Sequence, residues 1–351
     1  MPDFRAASEV IREAITQRIF PGAVVEVGSP TQPMWQASFG SLTYDAAASA
    51  AARDTIYDLA SLTKVMATAT VAMRAVEHGA LGLDDAVGAH VPHWAGSDRA
   101  GVTIRDLLSH CSGLPGYRPL FQEAQGEDAF ARMICDLPLE FAPRSRAIYS
   151  DLGFILLGWI LGRGTPFEDR FTAFWDRAGA GEELAFHPPA TWRARIAPTE
   201  FDRWRGRLLV GEVHDENCFA MGGAAGHAGL FGTASAVGAF ARHVLQVLDG
   251  RAGGFSQASI VEFTMRRGDV PGSSRALAWD TMLPTSSCGT RMSARAIGHT
   301  GFTGTSLWLD PAADCYVVLL TNRVHPSRDG DGITQVRPAF HDAVMEALGS
   351  V

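Results

Sequence analysis

The strand signals of this chain lie at its two ends, and that placement limits the folds open to it. Near the start, GAVVEVGSP and PMWQASFGSL read as two strands joined by a Pro-containing turn. Near the end, TSLWLDP (305–311) and CYVVLLTNR (315–323) read as two more, separated by an Ala-Ala-Asp turn. From about residue 80 to 220 the chain instead carries helix-like segments such as TIRDLLSH and GFILLGWILG between Pro/Gly loops, with little period-2 alternation. Helices also flank the strand pairs: an amphipathic N-terminal segment, ASAVGAFARHVLQVL, and PAFHDAVMEAL at the end. The expectation is an α/β (α+β) protein in which residues 1–79 and 225–351 build one mixed lobe and residues 80–224 an inserted, all-helical lobe. Clefts between such lobes are common ligand sites.

At 351 residues, 46% of them hydrophobic and 19% charged, the chain has ample material for a core. A net charge of -8 and no Lys/Arg run argue against a nucleic-acid partner. Five cysteines without paired C-x-x-C spacing read as buried, reduced thiols. The N-terminal segment mixes charges throughout, unlike a signal peptide, and 18 consecutive apolar residues occur nowhere. A soluble, cytoplasmic protein with no membrane partner is expected.

Three stretches carry chemistry. In DLASLTKVMATATVAM, Ser61 and Lys64 stand three apart at the start of a helix expected from Leu62 to His78, stopped by Gly79. Residues i and i+3 share a helix face, so the amine can approach the hydroxyl. Lysine is scarce in the chain, which sets Lys64 apart. Taken alone, this stretch favours a helix-capping serine with an incidental lysine. In AIYSDLGFILLGWILG, Tyr149 and Asp151 bracket Ser150; Ser150 or Asp151 as an N-cap, with Tyr149 a packed ring, is the plain alternative. In AIGHTGFTGTSLWLDP, Gly301 and Gly304 allow close approach of a ligand to the backbone where a strand begins, beside His299.

Together, S-L-T-K, Y-S-D and H-T-G occur in that order, 88 and then 150 residues apart. The chain resembles the penicillin-binding-protein-like serine β-lactamase family, the group of class C β-lactamases, D-alanyl-D-alanine carboxypeptidases and related esterases. LLSHCSGLPGY (107–117), GGAAGHAGLFGTAS (222–235) and YVVLLTNR (316–323) extend the resemblance over nearly the whole chain. It implies a β-lactamase/transpeptidase-like fold, an antiparallel sheet flanked by helices, with the site between the lobes. It implies Ser61 as the acylated nucleophile, with Lys64 and Tyr149 as its proton-transfer partners. The backbone N–H groups of Ser61 and Phe302 match the family's oxyanion hole, and Asp151, His299, Thr300 and Gly301 match its substrate-binding positions. It implies a small-molecule or short-peptide substrate, with no cofactor and no metal.

Two positions depart from the family pattern. Asp151 stands where the family has the asparagine of Y-x-N, and an ionised carboxylate only accepts hydrogen bonds. Beside Lys64 it is expected to raise the lysine's pKa and shift the base role to Tyr149. His299 stands where the family has the lysine of K-T-G, exchanging a permanent cation for a group mostly neutral at pH 7. Arg291 and Arg295 lie just upstream as candidate replacements. The expected activity is hydrolysis of esters or amides of the D-amino-acid-peptide kind. D-Alanyl-D-alanine carboxypeptidase or weak β-lactamase action is the alternative, and a non-catalytic ligand sensor on the same scaffold is the alternative of another class. His214, Asp215, Glu216 and His227 read as a polar loop at the cleft rim rather than a metal site, and His110 as a loop-bonding histidine.

Overall fold

The strand segments at the two chain ends close into one sheet. The protein is described by a computed structural model covering residues 2–178 and 181–349. Helix α1 (Arg5–Thr16) leads into strands β1 (Gly22–Gly28), β2 (Pro33–Gly40) and β3 (Tyr57–Asp58), then helix α2 (Ala69–Glu77). Helices α3 (Val87–His90), α4 (Ile104–Leu108), α5 (Glu127–Asp136), α6 (Asp151–Leu161) and α7 (Phe167–Ala178) follow. Short strands β4 (Leu184–Phe186), β5 (Phe201–Asp202) and β6 (Arg207–Leu208) precede α8 (Glu216–Ala220) and β7 (Leu230–Gly232). The chain ends with α9 (Ala234–Leu248), α10 (Gln257–Thr264), β8 (Asp280–Thr281), β9 (Ile297–Thr300), β10 (Ser306–Asp310), β11 (Cys315–Thr321) and α11 (Ile333–Ala347).

The main sheet runs β2-β1-β11-β10-β9-β8, antiparallel throughout. Its N-terminal hairpin joins its C-terminal one along β1 and β11, in register from Ala23–Thr321 to Gly28–Tyr316. Every residue of β1 and β11 is buried because both faces of the sheet are covered. Ala23, Val25 and Val27 pack with Val317 and Leu319 against Ile11 of α1 and Phe340 and Val344 of α11. Val24, Val318 and Leu320, on the opposite face, join the cluster that holds Phe240 and Val244 of α9. Burying each such side chain contributes about 1.5–3 kcal/mol.

Between the chain ends, helices dominate. α6 is hydrophobic nearly all round and correspondingly buried, its first turn capped by the Ser150 hydroxyl, which accepts from the Gly153 N–H. Residues 80–224 also contain β4, β5 and β6, so this stretch is not wholly helical; strands of two or three residues are too short to show alternation. β4 pairs with β7, which in turn pairs with β3, the strand leading to Ser61.

The last helix differs from its expected start. It begins at Ile333 rather than at Pro338, and Pro338 lies inside it. A proline in a helix leaves one carbonyl without its donor. Ile333, Val336 and Arg337 are buried there nonetheless, and this packing carries the extra turn. Among the described residues, no helix is long and apolar enough to cross a membrane. All five cysteines are unpaired and buried.

Candidate active site

Ser61 sits where β3 turns into a helix, and its neighbours fix that turn. Ala60, just before it, has φ +48°, a left-handed conformation that disfavours any residue with a Cβ. The buried Asp58 carboxylate holds it there, accepting from the Ala60 N–H at 2.8 Å and the His214 N–H at 2.7 Å. The β9–β10 turn clamps the same segment: Thr303 donates to the Asp58 carbonyl at 2.7 Å and Thr305 to the Leu59 carbonyl at 3.0 Å. Gly301 is required by this approach, since a Cβ there would strike Thr305 Oγ1 and the Leu59 carbonyl. The glycine therefore brings the turn against the nucleophile's strand, a packing role in addition to any ligand contact.

The expected helix after Ser61 forms and ends at Gly79, but its first turns, Lys64–Thr68, are π-helical. Such widened turns recur at functional sites. Lys64 is the only lysine in the chain. Its side chain is fully buried, and its Nζ donates to Ser61 Oγ at 2.9 Å, Asp151 Oδ1 at 2.7 Å and the His227 carbonyl at 3.1 Å. Three acceptors match the three protons of an ammonium. Burial pulls the Lys64 pKa down, but the Asp151 carboxylate, together with Tyr149, outweighs it and leaves the value above the usual lysine range. The lysine is a held cation.

Tyr149 is boxed in by cations and imidazoles. The Lys64 ammonium lies 4.8 Å and the Arg275 guanidinium 5.4 Å from its ring centre, with His110 at 4.8 Å and His299 at 5.7 Å. Tyr149 shares a cavity with Ser61. Burial pushes the phenol pKa up, and the neighbouring ammonium offsets only part of that. At neutral pH the resting site thus holds a phenol and an ammonium.

Both histidines beside Tyr149 are neutral. Burial, reinforced by nearby Arg275 and Lys64, holds His110 and His299 well below the usual imidazole range. His110 Nδ1 accepts from the Ser150 N–H at 3.0 Å, so its loop-bonding role is to fix the residue that caps α6. His299 Nδ1 lies 2.8 Å from the Thr300 carbonyl, which places the proton on Nδ1 and leaves Nε2 as an acceptor without a protein partner among the described residues. His299 cannot supply the positive charge of the lysine it stands for.

Ser61, Tyr149, His299, Thr300, Gly301 and Phe302 line one cavity of about 250 Å³, together with Arg275 and Asp280. The amides of Ser61 and Phe302 donate to no protein acceptor among the described residues. Two free N–H groups at the nucleophile are what a developing oxyanion needs. Asp151, bonded to Lys64, keeps 19% of its side chain exposed. The upstream arginines are elsewhere: Arg291 pairs with Glu346 on α11, and Arg295 lines a separate surface cavity with Val261. Among the described residues Arg275 is the cation that lines the cavity; at 3.9 Å from Asp280 its side chain is too distant for a hydrogen bond there. No motif marks it, because it comes from an irregular loop.

The loop that read as a polar rim supplies structure to the centre. Gly226 packs so closely on α6 that a Cβ would strike the Phe154 carbonyl, and this brings the His227 carbonyl onto Lys64. His227 pairs with Asp215 at 2.8 Å, His214 with Glu200 at 2.8 Å, and Glu216 with Arg328 at 2.7 Å. These carboxylates are thus engaged, and no group of three metal-ligating side chains forms among the described residues.

With this geometry in hand, comparison with known proteins is direct. The β-lactamase family model matches residues 7–339. A protein from Escherichia coli (strain K12) named "Putative D-alanyl-D-alanine carboxypeptidase" is 32% identical over 311 residues, 77% of this chain and 70% of that one. A class C β-lactamase from Rhodobacter sphaeroides superposes with a TM-score of 0.76 at 20% identity, over 97% of this chain and 99% of that one. EstCE1, a hydrolase with promiscuous acyltransferase activity, gives 0.76 at 20% identity, over 97% and 98%. The fold, the match along the chain and the serine-centred cleft lead to one assignment: this chain belongs to the β-lactamase family of serine hydrolases.

Proposed function

We propose that Ser61 is acylated by esters or amides of the D-amino-acid-peptide kind, with Tyr149 as the proton carrier and Lys64 as a fixed cation. One observation carries this: Lys64 Nζ has an acceptor for each of its three protons, one of them Ser61 Oγ and another the Asp151 carboxylate. Loss of one proton to solvent from the resting phenol–ammonium pair leaves Tyr149 and Lys64 sharing a single one. Asp151 favours leaving it on Lys64, so the reactive form pairs a tyrosinate with an ammonium. In that form Ser61 Oγ bonds to the substrate carbonyl carbon as its proton passes to Tyr149 Oη. The carbonyl electron pair moves to an oxyanion facing the Ser61 and Phe302 amides. On collapse the bond to the leaving group breaks, and Tyr149 returns the proton to the departing alkoxide or amine. Water then repeats the sequence to release the acid.

The substrate side divides. Arg275 in the cleft supports a substrate with a carboxylate near the scissile bond, as in a D-alanyl peptide, and the carboxypeptidase names of the relatives agree with that. The neutral His299 supports a second reading, a short-chain esterase. This reading also places the site between a lobe of residues 1–79 and 225–351 and a lobe of residues 80–224. Ser61 and His299 come from the first of these, Tyr149 and Asp151 from the second. The five unpaired thiols support a cytoplasmic site of action, which cell fractionation tests.

A fluorophosphonate or fluorescent penicillin, followed by mass spectrometry, is the direct test. Label on Ser61, absent in Ser61→Ala, is expected; label elsewhere on an active protein would refute the assignment. A p-nitrophenyl ester series set against D-alanyl peptides then separates the two substrate readings.

A further inference from the structure

Behind the β9–β10 turn lies a second buried cation that the reaction scheme does not use. Arg337, on α11, is only 8% exposed, and no carboxylate pairs with it among the described residues. A buried unpaired charge is costly unless its hydrogen bonds compensate. Its Nη2 donates to the Gly301 carbonyl at 2.6 Å and to the Thr305 carbonyl at 2.9 Å. The Gly301 carbonyl also accepts from the Gly304 N–H at 3.1 Å, so two donors converge on one oxygen.

That oxygen belongs to the peptide group whose N–H is Phe302's. Peptide resonance moves electron density from nitrogen to oxygen, so a cation at the oxygen leaves the N–H a stronger donor. The Phe302 N–H is one of the two free amides at Ser61. We propose that Arg337 is a positioning residue for the reaction: it fixes and polarises the Gly301–Phe302 peptide so that the Phe302 N–H holds the oxyanion more tightly. This rests on the acyl-enzyme reading above. Arg337 touches no substrate and acts through the peptide. His341, one turn on, is kept neutral by burial and by Arg337 itself, so it adds no second charge there.

A purely structural clamp and a polarising cation differ in what they move. The test compares wild type, Arg337→Gln and Arg337→Lys in three readouts: kcat and KM for a chromogenic ester, melting temperature, and the infrared carbonyl stretch of the Ser61 acyl-enzyme. The stretch falls as donors to the carbonyl strengthen. For Arg337→Gln, kcat is expected to fall about tenfold with KM within about twofold, less than the loss from deleting an oxyanion donor outright. The acyl carbonyl frequency is expected to rise. Arg337→Lys keeps the charge but cannot span both carbonyls, so a smaller kcat loss and a smaller rise in frequency are expected. Should Arg337→Gln not fold, Arg337→Lys decides alone: wild-type kcat and frequency overturn the proposal. A folded Arg337→Gln with wild-type frequency overturns it too, whatever its melting temperature. A wild-type protein whose Ser61 never acylates overturns the parent reading as well; acylation with unshifted frequencies overturns the Arg337 role alone.

Discussion

Lys64 and Arg337 are both buried cations beside the Ser61 turn, yet their surroundings move them in opposite directions. Burial disfavours the charged form of each. Lys64 has a carboxylate at 2.7 Å and ends with a raised pKa. Among the described residues Arg337 donates to carbonyls alone, and burial with Arg323 nearby pulls it down to about 9. Desolvation alone therefore does not set the direction of the shift; the charge of the neighbouring groups does. The pH dependences are opposite as well. Lys64, raised in the fold, stabilises it fully below the ordinary lysine value, and that contribution is lost as pH rises through the folded value. Arg337, depressed in the fold, opposes folding while charged, and the penalty fades as pH rises above about 9.

The strongest way to break the contrast is to remove the paired cation. Lys64→Met should fold, because a linear apolar side chain suits a buried site, while kcat/KM falls by about 10²–10⁴. Steady-state kinetics beside a thermal melt decide it, and near-normal turnover would end the case for Lys64. The next largest effect concerns a cation at the cleft surface. Arg275→Gln should lower kcat/KM for a carboxylate-bearing D-alanyl peptide by about tenfold or more and leave a neutral ester little changed. Equal losses on both substrates would show that Arg275 does not read the carboxylate.

How much of this was open to sequence reasoning depended on whether local order or tertiary contact set the feature. Ser61, Lys64 and Tyr149 were legible because motif and helix spacing confine them. α9 was legible from its helical periodicity, and the β10–β11 pair from two apolar runs around an Ala-Ala-Asp turn. Arg337 was hidden by Pro338, a strong local signal for a helix start, which the packing of Ile333 and Val336 overrides. Arg275 sits in an irregular loop, where sequence distance says nothing about reach; Arg291 and Arg295 were nearer in sequence and point away. The carbonyl of His227 carries no side-chain signature at all.

A smaller effect sharpens the Lys64 side. Asp151→Asn removes the carboxylate that raises the Lys64 pKa and leaves burial, which lowers it. The basic limb of the pH–kcat/KM profile should move to lower pH, and β-lactam turnover should improve relative to ester turnover. An unmoved limb and an unchanged preference would show that Asp151 does not govern the proton.

Because Lys64 is the only lysine, protein grown on 15N-lysine carries its side-chain label at a single site. Following that Nζ resonance against pH tests the central claim with no mutation. The account predicts an ammonium signal through neutrality, with a midpoint above the ordinary lysine value of about 10.4. A midpoint near pH 7 would make Lys64 the resting base and contradict it.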